Sequence, residues 1–218
     1  MKVKLISYSK PHDSDYTQNI QDLVAYCARV SNPANQNNTE TNEKLIKYLT
    51  KNNHWSPLEM VSICLEIETT RDIARQILRH RSFSFQEFSQ RYAVADLGFE
   101  TKEARTQDKK NRQNSITTDN QELIDNWEIQ QNNVSEIAAK AYNWALENGI
   151  AKEQARSVLP EGMTISRMYM NGTLRSWVHY IQLRSGNGTQ KEHQEVAIAC
   201  SEAIKEIFPM IEEFISNV

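Results

Sequence analysis

Apolar and polar residues alternate most cleanly between Val61 and Glu68, where Val61, Ile63, Leu65 and Ile67 take turns with Ser62, Cys64, Glu66 and Glu68. A period of two predicts a β-strand with one apolar face and one face that is wet or lines a cavity. Val3 and Leu5 alternate in the same way and predict a short first strand. A further strand is predicted over 163–170, with Asn171-Gly172 as its turn.

Helical spacing accounts for most of the remaining apolar residues. Ile20, Leu23, Val24 and Cys27 predict a helix capped by Asp13 or Ser14 and ended near Ser31-Asn32-Pro33. The asparagine-rich run 32–42 predicts a loop, and a helix follows over 43–51 with Leu45, Ile46 and Leu49 inward. Thr69 or Thr70 starts a helix over 71–80, whose buried side is Ile73, Ala74 and Ile77. Residues 122–148 predict a long helix with Ile124, Trp127, Val134, Ile137, Ala138, Ala141 and Ala145 inward, stopped by Gly149. A short helix over 151–158 is ended by Pro160. Thr173 caps a helix to Leu183 with Leu174, Trp177, Val178 and Ile181 as its apolar face. A flexible segment, 185–188, leads to a last helix over 190–208. Residues 101–120, polar and lysine-rich with little periodicity, read as a surface excursion of modest helix content. No repeat or composition break divides the chain. The expectation is one α+β domain over 1–218, with a small antiparallel or mixed sheet and several long helices.

Composition narrows the function classes. A net charge of −3 argues against binding a nucleic-acid polymer by bulk electrostatics, so any anion site must be local. Cys27, Cys64 and Cys200 are far apart and set among apolar residues, which reads as buried free thiols in a reducing compartment. The basic start, 1–10, lacks the apolar run of a signal peptide, and no window approaches a membrane span. A cytoplasmic protein without a membrane partner is therefore expected.

Charge placement is more specific. Five arginines fall between Arg71 and Arg91, while no lysine occurs between Lys51 and Lys102. The segment between Lys152 and Lys191 repeats the bias with Arg156, Arg167, Arg175 and Arg184. Arginine presents a planar fork of donors that matches phosphate or carboxylate two bonds at a time, so two such regions suggest two walls of one anionic pocket. Arg71, Arg75 and Arg79 recur every four residues, and like charges so spaced call for an anion nearby. The histidines show no metal-ligand spacing, no nucleophile motif is present, and neither glycine-rich phosphate loop occurs. On the arginines alone, a noncatalytic nucleotide-binding module and a nucleotide hydrolase stay open, although the hydrolase lacks a carboxylate cluster.

One motif adds to this. Arg79-His80-Arg81, seven residues, then Ser89-Gln90-Arg91 resembles the RHR-x7-SxR signature of the flavin-dependent thymidylate synthases, the ThyX family. His54-x-Ser56-Pro57-x-Glu59 resembles the family's upstream segment. Ala155-Arg156-x-Val158-Leu159-Pro160 and Leu174-Arg175-Ser176 followed by Leu183-Arg184 are similar to its later motifs. The chain departs from the usual pattern at Met60, where histidine is common, and at Thr173 and His179, where asparagine is common.

The resemblance implies a methyltransferase that converts dUMP to dTMP. Methylenetetrahydrofolate is the carbon donor, NADPH-reduced FAD is the hydride source, and no cysteine nucleophile takes part. It implies a homotetramer whose active sites are shared between subunits. Carried over by residue, it implies that Ser56, Arg79, His80, Arg81, Glu87, Thr173, Leu174, Arg175 and His179 hold FAD. Gln76, Arg79, Glu87, Ser89, Gln90, Arg91, Arg156 and Arg184 would hold dUMP, with Arg184 also the catalytic group that activates the uracil.

Overall fold

A computed structural model describes residues 1–12, 17–186 and 188–215. Its centre is a four-stranded, wholly antiparallel sheet in the order β1 (Lys2–Tyr8), β2 (Ser62–Thr70), β6 (Ile165–Thr173) and β3 (Phe83–Glu87). The expected alternation sets its two faces. Ile63, Leu65 and Ile67 of β2 and Met168 and Met170 of β6 are fully buried, whereas Glu66, Glu68, Arg167 and Tyr169 line the other face. Register puts Lys2, Glu68 and Arg167 side by side on that polar face, where Glu68 pairs with both cations.

Helices cover the apolar face. Helix α6 (Leu174–Arg184) buries the expected Leu174, Trp177, Val178 and Ile181 completely. The Trp177 indole Nε1 donates to the Ile63 carbonyl at 3.0 Å, so burying this ring, worth about 2–3 kcal/mol, leaves no orphan donor. Helix α7 (Lys191–Lys205) packs beside it and over β1, and α1 (Ile20–Ala28) and α2 (Asn42–Lys51) complete the layer. Helix α3 (Arg71–Ile77) follows directly from β2 and buries Ile73, Ala74 and Ile77 as expected.

Several expectations need correction. Asn171-Gly172 is no turn; it lies inside β6, where Gly172 faces Phe83 of β3. A Cβ on Gly172 would sit 2.4 Å from Phe83 Cδ1, so the glycine makes room for an aromatic ring. Helix α3 stops at Ile77, three residues early, and β3 follows. That strand is a new element, built from the Phe83/Phe85 alternation within the arginine motif. Residues 101–120 contain no helix; they form a hairpin of β4 (Arg105–Gln107) and β5 (Ser115–Thr117).

Helix α1 is capped by Asn19, whose side chain accepts from Asp22 N, while Asp13 and Ser14 lie outside the described residues. Asn187 of the 185–188 segment lies outside them as well. The last helix ends at Lys205, with Phe208 fully buried beyond it.

The long helix α4 (Gln121–Glu147) forms as expected, but a different face is buried. Gln131, Ala138, Tyr142 and Ala145 point inward, while Trp127, Val134 and Ile137 are exposed. Polar tips decide the rotation. Gln131 accepts from the Lys102 amide and donates to the Lys102 carbonyl, and Tyr142 Oη accepts from the Ala95 amide. Only Cys200 is a fully buried thiol, and burial pushes it well up; Cys27 and Cys64 are half-buried.

Candidate active site

The arginine stripe on α3 finds the anions its spacing demands. Arg71 Nε and Arg75 Nε donate to Glu161 at 3.1 and 3.2 Å, and Arg75 also reaches Glu87 at 3.1 Å. Burial works to raise the Glu161 carboxyl, but the two guanidinium groups outweigh it and hold it below its ordinary value. The same Glu87 oxygen accepts from Ser166 Oγ at 3.0 Å. Glu87 is thus fixed at the end of β3. Arg79 and Arg81 differ: neither has an acid partner among the described residues. These two cations are free for an anionic ligand.

Past the end of α3, the His80 amide is tied back to the Ile77 carbonyl at 3.0 Å. Its ring meets the C-terminal half of α6. Arg184 Nε donates to His80 Nε2 at 2.9 Å, and Tyr180 lies edge-on to the imidazole with centroids 4.9 Å apart. Burial, together with the adjacent Arg184 charge, lowers the His80 pKa to about 4. At neutral pH the imidazole is therefore uncharged and accepts. No acid pairs with Arg184 among the described residues, so its terminal nitrogens remain available.

The start of α6 gathers a second group. Thr173 caps it, accepting from Ser176 N at 3.2 Å, and Ser176 Oγ donates to the Ser82 carbonyl in the signature. Arg175 is ion-paired with Glu59, and His179 lies against Trp55 with centroids 4.5 Å apart. Ser56 begins the short 3₁₀ turn between them and is exposed. Leu174 is wholly buried, so its side chain belongs to the core and only its backbone could meet a ligand.

After β3, the Ser89-Gln90-Arg91 run turns away from the sheet. Arg91 Nε donates to Glu153 at 3.2 Å, and Arg156 Nε donates to the Glu153 carbonyl at 3.3 Å. Gln90 is only 3% exposed, yet its Nε2 has no partner among the described residues. An orphan buried donor costs about 1–3 kcal/mol, a penalty that a bound acceptor would remove. A cleft of about 460 Å³ lies beside Ser89, lined in part by Glu87, Ser89, Tyr92, Arg167 and Tyr169 and not by Gln90, Arg91 or Arg156.

Within one chain the expected residues therefore form separate contact groups. Arg156 sits with Arg91, while Arg184 sits with His80 in a group that reaches Gln76 through Tyr180 and His193. Sequence reasoning missed Glu161 and Glu153, and it named Glu59 in the upstream motif without its pairing to Arg175. Of the two missed acids, only Glu161 had a signal, the like-charge spacing of the stripe. His193 and Tyr180, fully buried beside His80, carried none, because a lone histidine or tyrosine on a helix reads as core. No group of three His, Cys, Asp or Glu among the described residues could hold a metal.

Comparison with known proteins gives a consistent answer. A family model described as thymidylate synthase complementing protein matches residues 14–210. A probable flavin-dependent thymidylate synthase of Paramecium bursaria Chlorella virus 1 is 48% identical over 211 residues, covering 97% of each chain. A flavin-dependent thymidylate synthase of Synechocystis sp. is also 48% identical, over 215 residues and 97% of each chain. Among solved structures, a UMP/dUMP methylase of Streptomyces cacaoi bound with 5-Br dUMP superposes with a TM-score of 0.80 at 26% identity. The match covers 98% of this chain and 93% of that one.

Proposed function

The chain belongs to the flavin-dependent thymidylate synthases, the family described as thymidylate synthase complementing proteins, and on that premise we propose that it reductively methylates dUMP to dTMP. The carbon donor in this reading is 5,10-methylenetetrahydrofolate. FAD, reduced by NADPH, supplies the hydride when bound. The residues present fit a dinucleotide cofactor and a nucleotide. Among the described residues Arg79 and Arg81 have no acid partner, and the buried Gln90 amide nitrogen has no hydrogen-bond partner.

The observation that carries the reading is the Arg184–His80 bond. By accepting from Nε, neutral His80 fixes the guanidinium plane and leaves its terminal nitrogens with no acid to neutralise them among the described residues. A permanently charged donor so held favours the uracil ring ionised at N3, the form that an electron-rich C5 requires. Arg79, Arg91 and Arg156 would hold the dUMP phosphate, with Ser89 and Gln90 as further donors and Gln76 and Glu87 at the nucleotide's edge. His80, Arg81, Arg175 and His179, with Ser56 and Thr173, would hold FAD; Glu87 and Arg79 stand between both. Leu174, with its side chain in the core, would join the FAD group through its backbone. Cys200, the one fully buried thiol, is too strongly protonated to attack, in keeping with chemistry that needs no cysteine nucleophile.

One catalytic domain over 1–218, working in the cytoplasm as a homotetramer with shared sites, completes the proposal. Its support is the separation of Arg156 from Arg184 within one chain and the uncovered apolar face of α4. Purified protein is expected to be yellow, and, given NADPH and methylenetetrahydrofolate, to form dTMP from dUMP. Colourless protein that takes up no added FAD, or dUMP left unmethylated by the yellow protein, refutes the reading. Supplying UMP in parallel tests whether this chain shares the breadth of the Streptomyces cacaoi methylase; we expect dUMP to be preferred.

A further inference from the structure

His193 lies in the first turn of α7, is 0% exposed, and both ring nitrogens have partners: Nδ1 is 3.2 Å from Gln76 Oε1, and Nε2 is 3.2 Å from Tyr180 Oη. Which nitrogen carries the proton follows from groups further along the chain of bonds. Glu192 can only accept; it takes one bond from Arg105 of the hairpin and one, at 2.9 Å, from Gln190 Nε2. The Gln190 amide therefore turns its oxygen to Gln76, whose Nε2 donates at 2.8 Å. Gln76 must then present its own oxygen to His193, so the proton is on Nδ1, and Nε2 accepts from the Tyr180 hydroxyl. The Arg105–Glu192 pair is nearly buried at 11% and 13% side-chain exposure, which anchors the direction of every bond in the series. Tyr180 in turn lies edge-on to His80, which Arg184 holds from the other side.

We propose that His193 is a positioning residue for nucleotide binding: its Nδ1–H locks the Gln76 amide in the orientation that meets dUMP, and the series through Gln190 and Glu192 ties that amide to Arg105 in the β4–β5 hairpin. This rests on the dUMP reading above, since Gln76 is a nucleotide residue only under it. The hairpin thereby becomes a remote support of the nucleotide site, although it contributes no group to the ligand.

The test uses the FAD-loaded protein. Two-bond ¹H–¹⁵N spectra of ¹⁵N-histidine-labelled enzyme are expected to show His193 as the Nδ1–H tautomer at neutral pH. Calorimetric titration with dUMP supplies the second readout. His193→Leu is expected to weaken dUMP roughly five- to tenfold, the worth of one lost neutral hydrogen bond, with flavin content unchanged. His193→Asn, whose amide nitrogen takes the place of Nδ1, restores affinity to within about threefold, whereas His193→Gln, which reaches towards Tyr180 instead, does not. Arg105→Gln, far along the series, weakens dUMP in the same direction.

An Nε2–H tautomer overturns the proposal, and so does equal loss for the Leu and Asn variants. The tautomer readout needs no turnover. Failure of the wild-type protein to make dTMP would thus count against the proposed reaction and leave the hydrogen-bond series standing.

Discussion

Arg184 commits Nε to a neutral imidazole while its terminal nitrogens meet no acid among the described residues, and that division predicts how substitutions there behave. Arg184→Ala is expected to lower dUMP turnover by about 10²-fold or more, the cost of losing one directed donor to a developing anion, with FAD retained. Arg81→Ala should do the reverse, weakening flavin retention first; absorbance of bound flavin beside dTMP formation separates the two.

The same pair carries a pH signature. Burial, then the Arg184 charge, lowers His80 to about 4, and His193 falls to about 3 by burial, Arg184 and His80 in that order, from an ordinary 6.5. Both are depressed, so below pH 6.5 the unfolded chain binds protons that the folded chain refuses, and stability falls as pH drops from 6.5 towards 4. His193, the buried one, contributes on the order of 1 kcal/mol per pH unit in that window, and partly exposed His80 less. Denaturant midpoints at pH 7.5 and 5.0 measure it; equal midpoints would mean these rings titrate normally. At this scale the sequence was informative wherever a residue type is rare for its setting, as with lysine-free arginines. It was silent on His193, because helical spacing gives a buried histidine and a buried leucine the same pattern.

Among elements, the junction of β3 and β6 shows where reading by pattern fails and why. Phe83-Ser84-Phe85-Gln86 alternates as a strand should, but its signal is short and is overlain by the charges of the signature. Asn-Gly is a strong turn signal, yet here tertiary packing overrides it: Gly172 is opposite Phe83, and the ring occupies the space of a Cβ. Phe83 also packs edge-on to Trp177 at 4.8 Å, so it has little room to retreat. Gly172→Ala is accordingly expected to destabilise by roughly 1–3 kcal/mol, the usual range for overpacking. Adding Phe83→Leu should return part of that loss, and thermal unfolding of the single and double variants decides it. Strand β2 and helices α6 and α7 were legible because each has one wet and one dry face, and β6 was legible only as far as Met170. The 105–117 hairpin was not, since all six of its strand residues are half-buried or exposed and carry no apolar period.

For the whole molecule the question is what covers α4. The helix is about 40 Å long at 1.5 Å per residue, and its outward Leu123, Trp127, Val134, Ile137 and Trp144 fall on one heptad stripe. Three of these residues, Trp127, Val134 and Ile137, were expected in the chain's own core, because helical spacing alone does not distinguish burial within a chain from burial against another copy. The structure leaves the stripe bare, with Ile137 68% and Trp144 60% exposed. A bare apolar seam on this scale marks a contact surface, and for a homo-oligomer the contact is another copy.

Ile137→Glu places a charge at the middle of the seam. It is expected to reduce the assembly measured by sedimentation and to abolish dTMP formation while leaving the fold, read by circular dichroism, intact. An unchanged sedimentation coefficient would remove α4 from the interface. Shared sites can be tested independently of that helix. If Arg156 and Arg184 serve one dUMP from two subunits, Arg156→Ala and Arg184→Ala proteins are each inactive alone. Unfolded together and reassembled, they place both intact residues in about a quarter of sites when mixed equally, because each site draws its two arginines from independent subunits. Recovery near that fraction supports shared sites. A mixture as inactive as its parents would mean that each chain completes its own pocket.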